Sequence, residues 1–132
     1  QKEVAERVCA LPPRMNLLAA SVQFWATPEI IAAVPAKDFE PMPKVASALI
    51  KLKSKNEKLK NNETVKNRED YYRLIKVLFK QPRKTILNNL AAKFDVNKEA
   101  IREQLKPFEL SGEERAQNLS LEKILALSKV FL

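Results

Sequence analysis

Residues 71–90 read YYRLIKVLFKQPRKTILNNL. Tyr71, Leu74, Ile75 and Leu78 recur at i, i+3, i+4 and i+7, the spacing of one helix face. The pattern restarts at Ile86, Leu87 and Leu90 and runs on to Ala91 and Phe94. Between the two stripes stands Pro82, which cannot continue a helical hydrogen-bond ladder. The stretch therefore predicts two packed helices with a break between them. The residues left out of the stripes are basic. Arg73, Lys76 and Lys80 stand at i, i+3 and i+7 and share a face. Arg83 and Lys84 begin the next helix and extend that face. Such a cluster binds phosphates, giving affinity and orientation with little sequence reading. The alternative is a solvated helix face. Asn88 and Asn89 are expected to cap or to bond within the bundle.

Outward toward the C-terminus, Asn97 is placed to cap a helix carrying Ile101 and Leu105 that stops before Pro107. Ser111-Gly112-Glu113-Glu114 fits a capping box, with Ser111 accepting from the backbone and Glu114 reaching back. Ser120 opens a last helix with Leu121, Ile124, Leu125 and Leu127 facing inward. The C-terminal part is thus a small helical bundle. Outward toward the N-terminus, residues 54–68 are polar and basic, the composition of a linker. Residues 45–53 and 29–34 read as two strands that pair antiparallel across a proline-rich loop at 35–44. Two strands alone are marginally stable and call for a larger sheet. Residues 15–26 favour a helix with Leu18, Val22 and Trp25 on one face, and residues 1–10 a helix ended by Pro12 and Pro13. Of Phe24, Trp25, Tyr71 and Tyr72, at least half are expected in the core.

Composition narrows the function classes. The net charge of +8 is concentrated: residues 51–84 carry twelve basic and four acidic side chains, and the rest balances. That points to a polyanion, nucleic acid or an acidic membrane surface. No aromatic lies within 51–70, which weakens a single-strand stacking platform there. There is no histidine and one cysteine, Cys9, which excludes zinc sites built of Cys and His and His-based triads. Cys9 is expected as a small core residue, consistent with a reducing compartment. The single glycine, Gly112, excludes a glycine-rich phosphate or dinucleotide loop within these residues. No apolar run approaches a membrane span. The first residues carry no initiator Met and no signal peptide, which reads as a truncated start.

Four segments, in order, resemble the KsgA family of ribosomal RNA adenine N6-dimethyltransferases. They are Gln1–Arg7 (QKEVAER), similar to the segment that follows the family's catalytic loop; Phe39–Ala48 (FEPMPKVASA), similar to F-x-P-x-P-K-V-x-S-A; Phe79–Leu90 (FKQPRKTILNNL), similar to F-x-Q-R-R-K-T-L-x-N-N-L; and Arg115–Glu122 (RAQNLSLE), similar to R-x-E-x-L-S-L-E. The second is shared with antibiotic-resistance methyltransferases of the same superfamily, and the third favours the housekeeping branch. Pro82 stands where the family has an arginine, in what is expected to be a first helical turn, where proline is tolerated. Gln117 replaces a usual acid, and residues 54–66 look longer than typical.

The resemblance implies an α/β plus all-α chain: the C-terminal end of a Rossmann-like methyltransferase sheet, seen as an antiparallel strand pair, followed by a small helical domain. The implied division is 1–53 for the end of the catalytic domain, 54–69 for a basic linker, and 70–132 for an RNA-binding domain. The implied reaction is S-adenosylmethionine-dependent dimethylation of two adjacent adenosines near the 3′ end of small-subunit ribosomal RNA. The partner is that RNA or a pre-30S subunit, in the cytoplasm, with the protein a monomer, no membrane and no metal. The donor loop and the catalytic Asn-x-Pro-Tyr motif would precede residue 1, so no catalytic or cofactor residue is assigned here. Phe39 occupies the place of an aromatic set against the flipped target adenine, where a base taken from its stack needs another π-face. A core phenylalanine plugging the loop is the alternative. Pro41 and Pro43 would stiffen that loop, and Lys44 would touch RNA or stay solvated. Arg73, Lys76, Lys80, Arg83 and Lys84 are the expected RNA-facing set. Two other readings remain: a non-enzymatic RNA-binding or ribosome-assembly module, and a DNA-binding helical domain, which leaves the strands unexplained.

Overall fold

Backbone donors and acceptors must be paired wherever they leave water, and the chain does this with one strand pair and six helices among its described residues. The computed structural model describes residues 1–55 and 62–132, without the side chains of 62–66. The expected linker basics Lys58, Lys60 and Lys66 lie outside the described residues or side chains. The elements run α1 (Lys2–Val8), α2 (Leu17–Gln23), β1 (Ala26–Val34), β2 (Ser47–Ser54), α3 (Asn62–Leu78), α4 (Ile86–Phe94), α5 (Lys98–Leu105) and α6 (Leu121–Phe131). One-turn 3-10 segments lie at Ala36–Asp38, Lys106–Phe108 and Ala116–Asn118.

β1 and β2 pair antiparallel, with Ala26 opposite Ser54 and Val34 opposite Ser47, and a register irregularity between Ile30 and Ala32. Pro28, with no N–H to give, is tolerated in this two-stranded sheet because each strand is an edge. The sheet leaves Ile30, Ile31, Leu49 and Leu52 exposed.

The core lies among the helices. Tyr71, Leu74, Ile75 and Leu78 of α3 are completely buried, with Ile86 and Leu90 of α4, Ile101 and Leu105 of α5, and Ile124 and Leu127 of α6. Met15, Ala19 and Ala20 belong to the same cluster, so α2 packs on the C-terminal bundle. Two buried polar side chains close helix ends. Gln23 Nε2 donates to the carbonyls of Val8 (2.9 Å) and Ala10 (2.8 Å) after α1. Tyr71 Oη donates to Ala20 O at 2.7 Å.

Four local expectations change. The inward face of α2 is Ala19, Ala20 and Gln23, because small side chains let α2 approach α3. Leu18 and Val22 are half-buried, and Trp25 lies beyond the helix, 38% exposed. Helix α3 begins at Asn62, within the stretch expected to be linker and well before its apolar stripe starts at Tyr71. The 35–44 loop contains one regular turn, Ala36–Asp38. The box at Ser111–Glu114 forms its hydrogen bonds but starts no helix. Glu114 accepts from Ser111 N–H (2.9 Å) and Gly112 N–H (2.8 Å), and Ser111 Oγ accepts from Glu113 N–H. The backbone then runs into a bridge between Arg115 and Thr85.

Candidate nucleic-acid interface

An apolar stripe that is fully buried forces the residues between its members outward. Arg73 and Lys76 accordingly stand exposed on α3. The helix ends at Leu78, and buried Phe79 holds the chain against the core before it turns. Lys84 N–H donates to Gln81 O at 2.9 Å, closing a four-residue turn with Pro82 second, where its fixed φ is suited. Pro82, Arg83 and Lys84 are therefore in the turn before α4, and not in its first helical turn. Thr85 caps α4, accepting from Asn88 N–H. Buried Asn89 reaches back from α4: its Nδ2 donates to Leu78 O (3.1 Å) and Gln81 O (3.2 Å). The basic turn is thus pinned from below by a bundle asparagine, as expected of that residue.

Arg73, Lys76, Lys80 and Lys84 come together around one groove of about 480 Å³, joined by Lys93 from α4. Val77, Ala92 and Phe94 lie in its wall, with the carboxamides of Gln81 and Asn88. No Asp or Glu side chain lines it. Arg73 meets Asp70 at 3.9 Å, with the arginine side chain 68% exposed, a contact worth little in water. Lys76, Lys80, Lys84 and Lys93 make no ion pair among the described residues. Four lysines without a counter-charge, gathered beside the loosely paired Arg73, repel one another, and a polyanion relieves that repulsion while releasing its own counterions. Arg83 faces a neighbouring hollow with Gln81, Pro82 and Lys84. Of the five basic residues singled out in 73–84, four share the groove and Arg83 borders it. Lys93 was missed: its signal is the i, i+4 spacing from Asn89, which puts it one turn further along the face beside the basic turn.

Phe39 and Lys44 lie in the β1–β2 loop and do not line this groove. Phe39 ends the 3-10 turn, donating its N–H to Ala36 O (3.2 Å), and its side chain is open, the residue 42% exposed. Lys44 is exposed. The loop's far end is fixed by Lys2 N–H donating to Ala46 O at 3.0 Å. Phe24, Tyr71 and Tyr72 pack on one another, Phe24 stacking on Tyr71 with centroids 4.5 Å apart. Both tyrosine hydroxyls donate to α2 carbonyls, so these rings serve the core. Cys9, half-buried after α1, has its thiol pushed up by burial and by nearby Glu29, the opposite of an activated nucleophile.

Gly112 has φ of +95°, and a Cβ there would meet Leu87 Cβ at 3.1 Å; the glycine serves a packed turn, not a ligand loop. Among the described residues no group of His, Cys, Asp or Glu could hold a metal ion, and no helix is long and apolar enough to cross a membrane.

Comparison with known proteins bears on the family and the fold. A ribosomal RNA small subunit methyltransferase A from Fusobacterium nucleatum is 37% identical over 99% of this chain and 49% of its own length. The protein of that name from Clostridioides difficile is 36% identical over 98% of the chain and 45% of its own. The chain spans about half the length of these curated relatives. Among solved structures, a dimethyladenosine transferase from Plasmodium falciparum superposes with a TM-score of 0.69 at 24% identity, covering all of this chain and 57% of that one. The 23S rRNA methyltransferase ErmE superposes at 0.67 with 22% identity, over 98% of this chain and 51% of that one. Both show a shared fold. The family model described as ribosomal RNA adenine dimethylase matches residues 1–131, and the chain belongs to that family.

Proposed function

We propose that this chain is the RNA-positioning part of an enzyme that dimethylates two adjacent adenosines near the 3′ end of small-subunit ribosomal RNA, using S-adenosylmethionine, in a cytoplasmic pre-30S particle. The observation that carries the reading is the groove of Arg73, Lys76, Lys80, Lys84 and Lys93, lined by no Asp or Glu side chain, in a chain of this family. In this reading residues 1–53 close the catalytic domain and 70–132 bind RNA, with Arg83 and Lys84 extending the basic face; of the expected 54–69 linker, residues 62–69 form the first part of α3. The two-stranded sheet leaves each strand an open edge, which suits continuation into a larger Rossmann-like sheet. The donor is held by residues outside these 132, so the chain alone is inactive, and the whole protein acts as a monomer without a metal. Phe39 offers an open ring to the target base, on a loop stiffened by Pro41 and Pro43, with Lys44 beside it.

The test uses the full-length protein, S-adenosylmethionine and small-subunit particles lacking the modification, with mass spectrometry of the two adenosines. Phe39→Ala is expected to lower methylation by about tenfold or more, the scale of one lost base–ring stack, while RNA affinity changes little. Lys80→Gln with Lys84→Gln should weaken binding instead, and flatten the plot of log affinity against log salt by about 0.7 per lost single-strand phosphate contact. RNA binding without any methyl incorporation would point to an assembly module in place of an enzyme.

A further inference from the structure

The α3–α4 groove carries more than charge. A surface that only tracks phosphates needs cations on solvated stems, and Arg73, Lys76, Lys80, Lys84 and Lys93 would suffice. This groove also has depth, about 480 Å³, within the range of small-ligand pockets. Its wall includes Val77, Ala92 and the ring of half-buried Phe94. That ring is fixed by stacking on Phe131, centroids 6.1 Å apart at 28°. The carboxamides of Gln81 and Asn88 also face it. Neither makes a hydrogen bond among the described residues, although Asn89 beside them spends both its amide donors on the bundle. An apolar wall with an aromatic, free carboxamides and a rim of cations is the set of groups that holds a nucleotide: a flat ring, its edge donors and acceptors, and a phosphate.

We infer that this groove is a pocket for one unstacked nucleotide of a single-stranded RNA segment, with the base against the Phe94–Ala92 wall, its edge toward Asn88 or Gln81, and its flanking phosphates on the lysine rim. The inference rests on the RNA-binding reading above and adds a base-reading site distinct from the Phe39 loop. An acidic peptide would satisfy the rim and the apolar wall, but gives no use to the two free carboxamides. The sequence alone places Asn88 with its neighbour as a bundle residue; in the structure both line the groove, but Asn89 is buried with its amide bonded to the bundle, whereas Asn88 is half-exposed.

The experiment measures anisotropy of a labelled short single-stranded RNA oligomer on the full-length protein. The oligomer is compared with copies in which one nucleotide at a time is abasic. One abasic position should weaken binding about tenfold, the scale of a base–aromatic stack. Ala92→Gln fills the wall without altering charge, at an exposed site in the last turn of α4 suited to glutamine, and should abolish the difference between intact and abasic RNA. Lys80→Gln should weaken both equally. If every abasic copy binds wild-type protein as tightly as intact RNA while Lys80→Gln still weakens binding, the groove holds phosphates only and the pocket is refuted, with the RNA reading intact. If no oligomer binds at low salt, the RNA reading itself falls and the pocket with it. Displacement of the RNA by an acidic peptide that binds more tightly, with the same sensitivity to Ala92→Gln, would overturn the proposal in favour of a protein partner. The abasic comparison uses unaltered protein, so it stands even where a variant folds poorly.

Discussion

Tyr71→Phe removes one oxygen from the place where α2 meets α3. Tyr71 is fully buried and stacks on Phe24, and its hydroxyl donates to Ala20 O at 2.7 Å. The ring stays in the variant, so the apolar contact survives. What is lost is one buried hydrogen bond, about 1 kcal/mol, rising to about 2–3 kcal/mol if the carbonyl is left without a donor. A second consequence follows from titration. Burial, and then the neighbouring Tyr72, push the Tyr71 phenol well above its ordinary value, while the unfolded chain keeps the ordinary value near 10. Below that pH both states hold the proton and stability is complete. Above it the unfolded state ionises while the folded state cannot, so stability falls as pH rises toward the raised folded value. The variant has no such proton. Urea unfolding of both proteins from pH 7 to pH 11, followed by tryptophan fluorescence from Trp25 and by circular dichroism, should give a wild-type advantage of about 1–2 kcal/mol at neutral pH that narrows above pH 10. Two parallel pH curves would refute the burial of this hydroxyl, and equal stability at pH 7 would refute its hydrogen bond.

Other outcomes can be checked on the same melts. Gly112→Ala should cost about 1–3 kcal/mol, because φ is +95° and the added methyl meets Leu87 Cβ at 3.1 Å. Asp95→Gly should stabilise by about 0.5–1 kcal/mol, since Asp95 ends α4 at φ +50°, a left-handed conformation that disfavours side chains other than glycine's. Ser120→Ala should cost about 1 kcal/mol by leaving Lys123 N–H without its cap. Burial pushes the Glu114 carboxyl up, but backbone and hydroxyl donors at Ser111, Gly112 and its own backbone pull it below the ordinary range. Its contribution is therefore present above the ordinary carboxylate value and lost as pH falls through the lowered one. Glu114→Gln should flatten the acid limb of the stability curve, read by melting temperature between pH 3 and pH 6.

The stripe at Tyr71, Leu74, Ile75 and Leu78 was legible because periodicity and burial are one statement in a packed helix, and all four are fully buried. The caps at Asn97 and Ser120 were legible because a side-chain oxygen and an N–H two or three residues on are a local pair. The antiparallel strands were legible from composition and the prolines between them. Ser111–Glu114 shows where local reading stops. Its hydrogen bonds are local and form as the residue types demand, yet the carbonyls that would start a helix there are already taken. Glu114 O accepts from Ile86 N–H at 2.8 Å, and Gly112 O accepts from Leu87 N–H at 3.1 Å. These are two of the orphan donors at the head of α4, and Thr85 Oγ takes the third. The segment caps a helix about a fifth of the chain away instead of beginning its own. No window of sequence contains that competition, because one partner lies near residue 86 and the other near residue 113. The groove hides for the same reason. Its α3 wall and its turn follow one another in sequence and were read as a basic cluster. Lys93, Ala92 and Phe94 join because α4 packs on α3 through Ile86 and Leu90 and is tied to the end of α3 by Asn89. The buried carboxamide thus bonds both the end of α3 and the turn beside the groove. Asn89→Ala should on that account disturb RNA affinity and stability together, whereas Asn88→Ala, with no bond to lose among the described residues, should touch affinity alone.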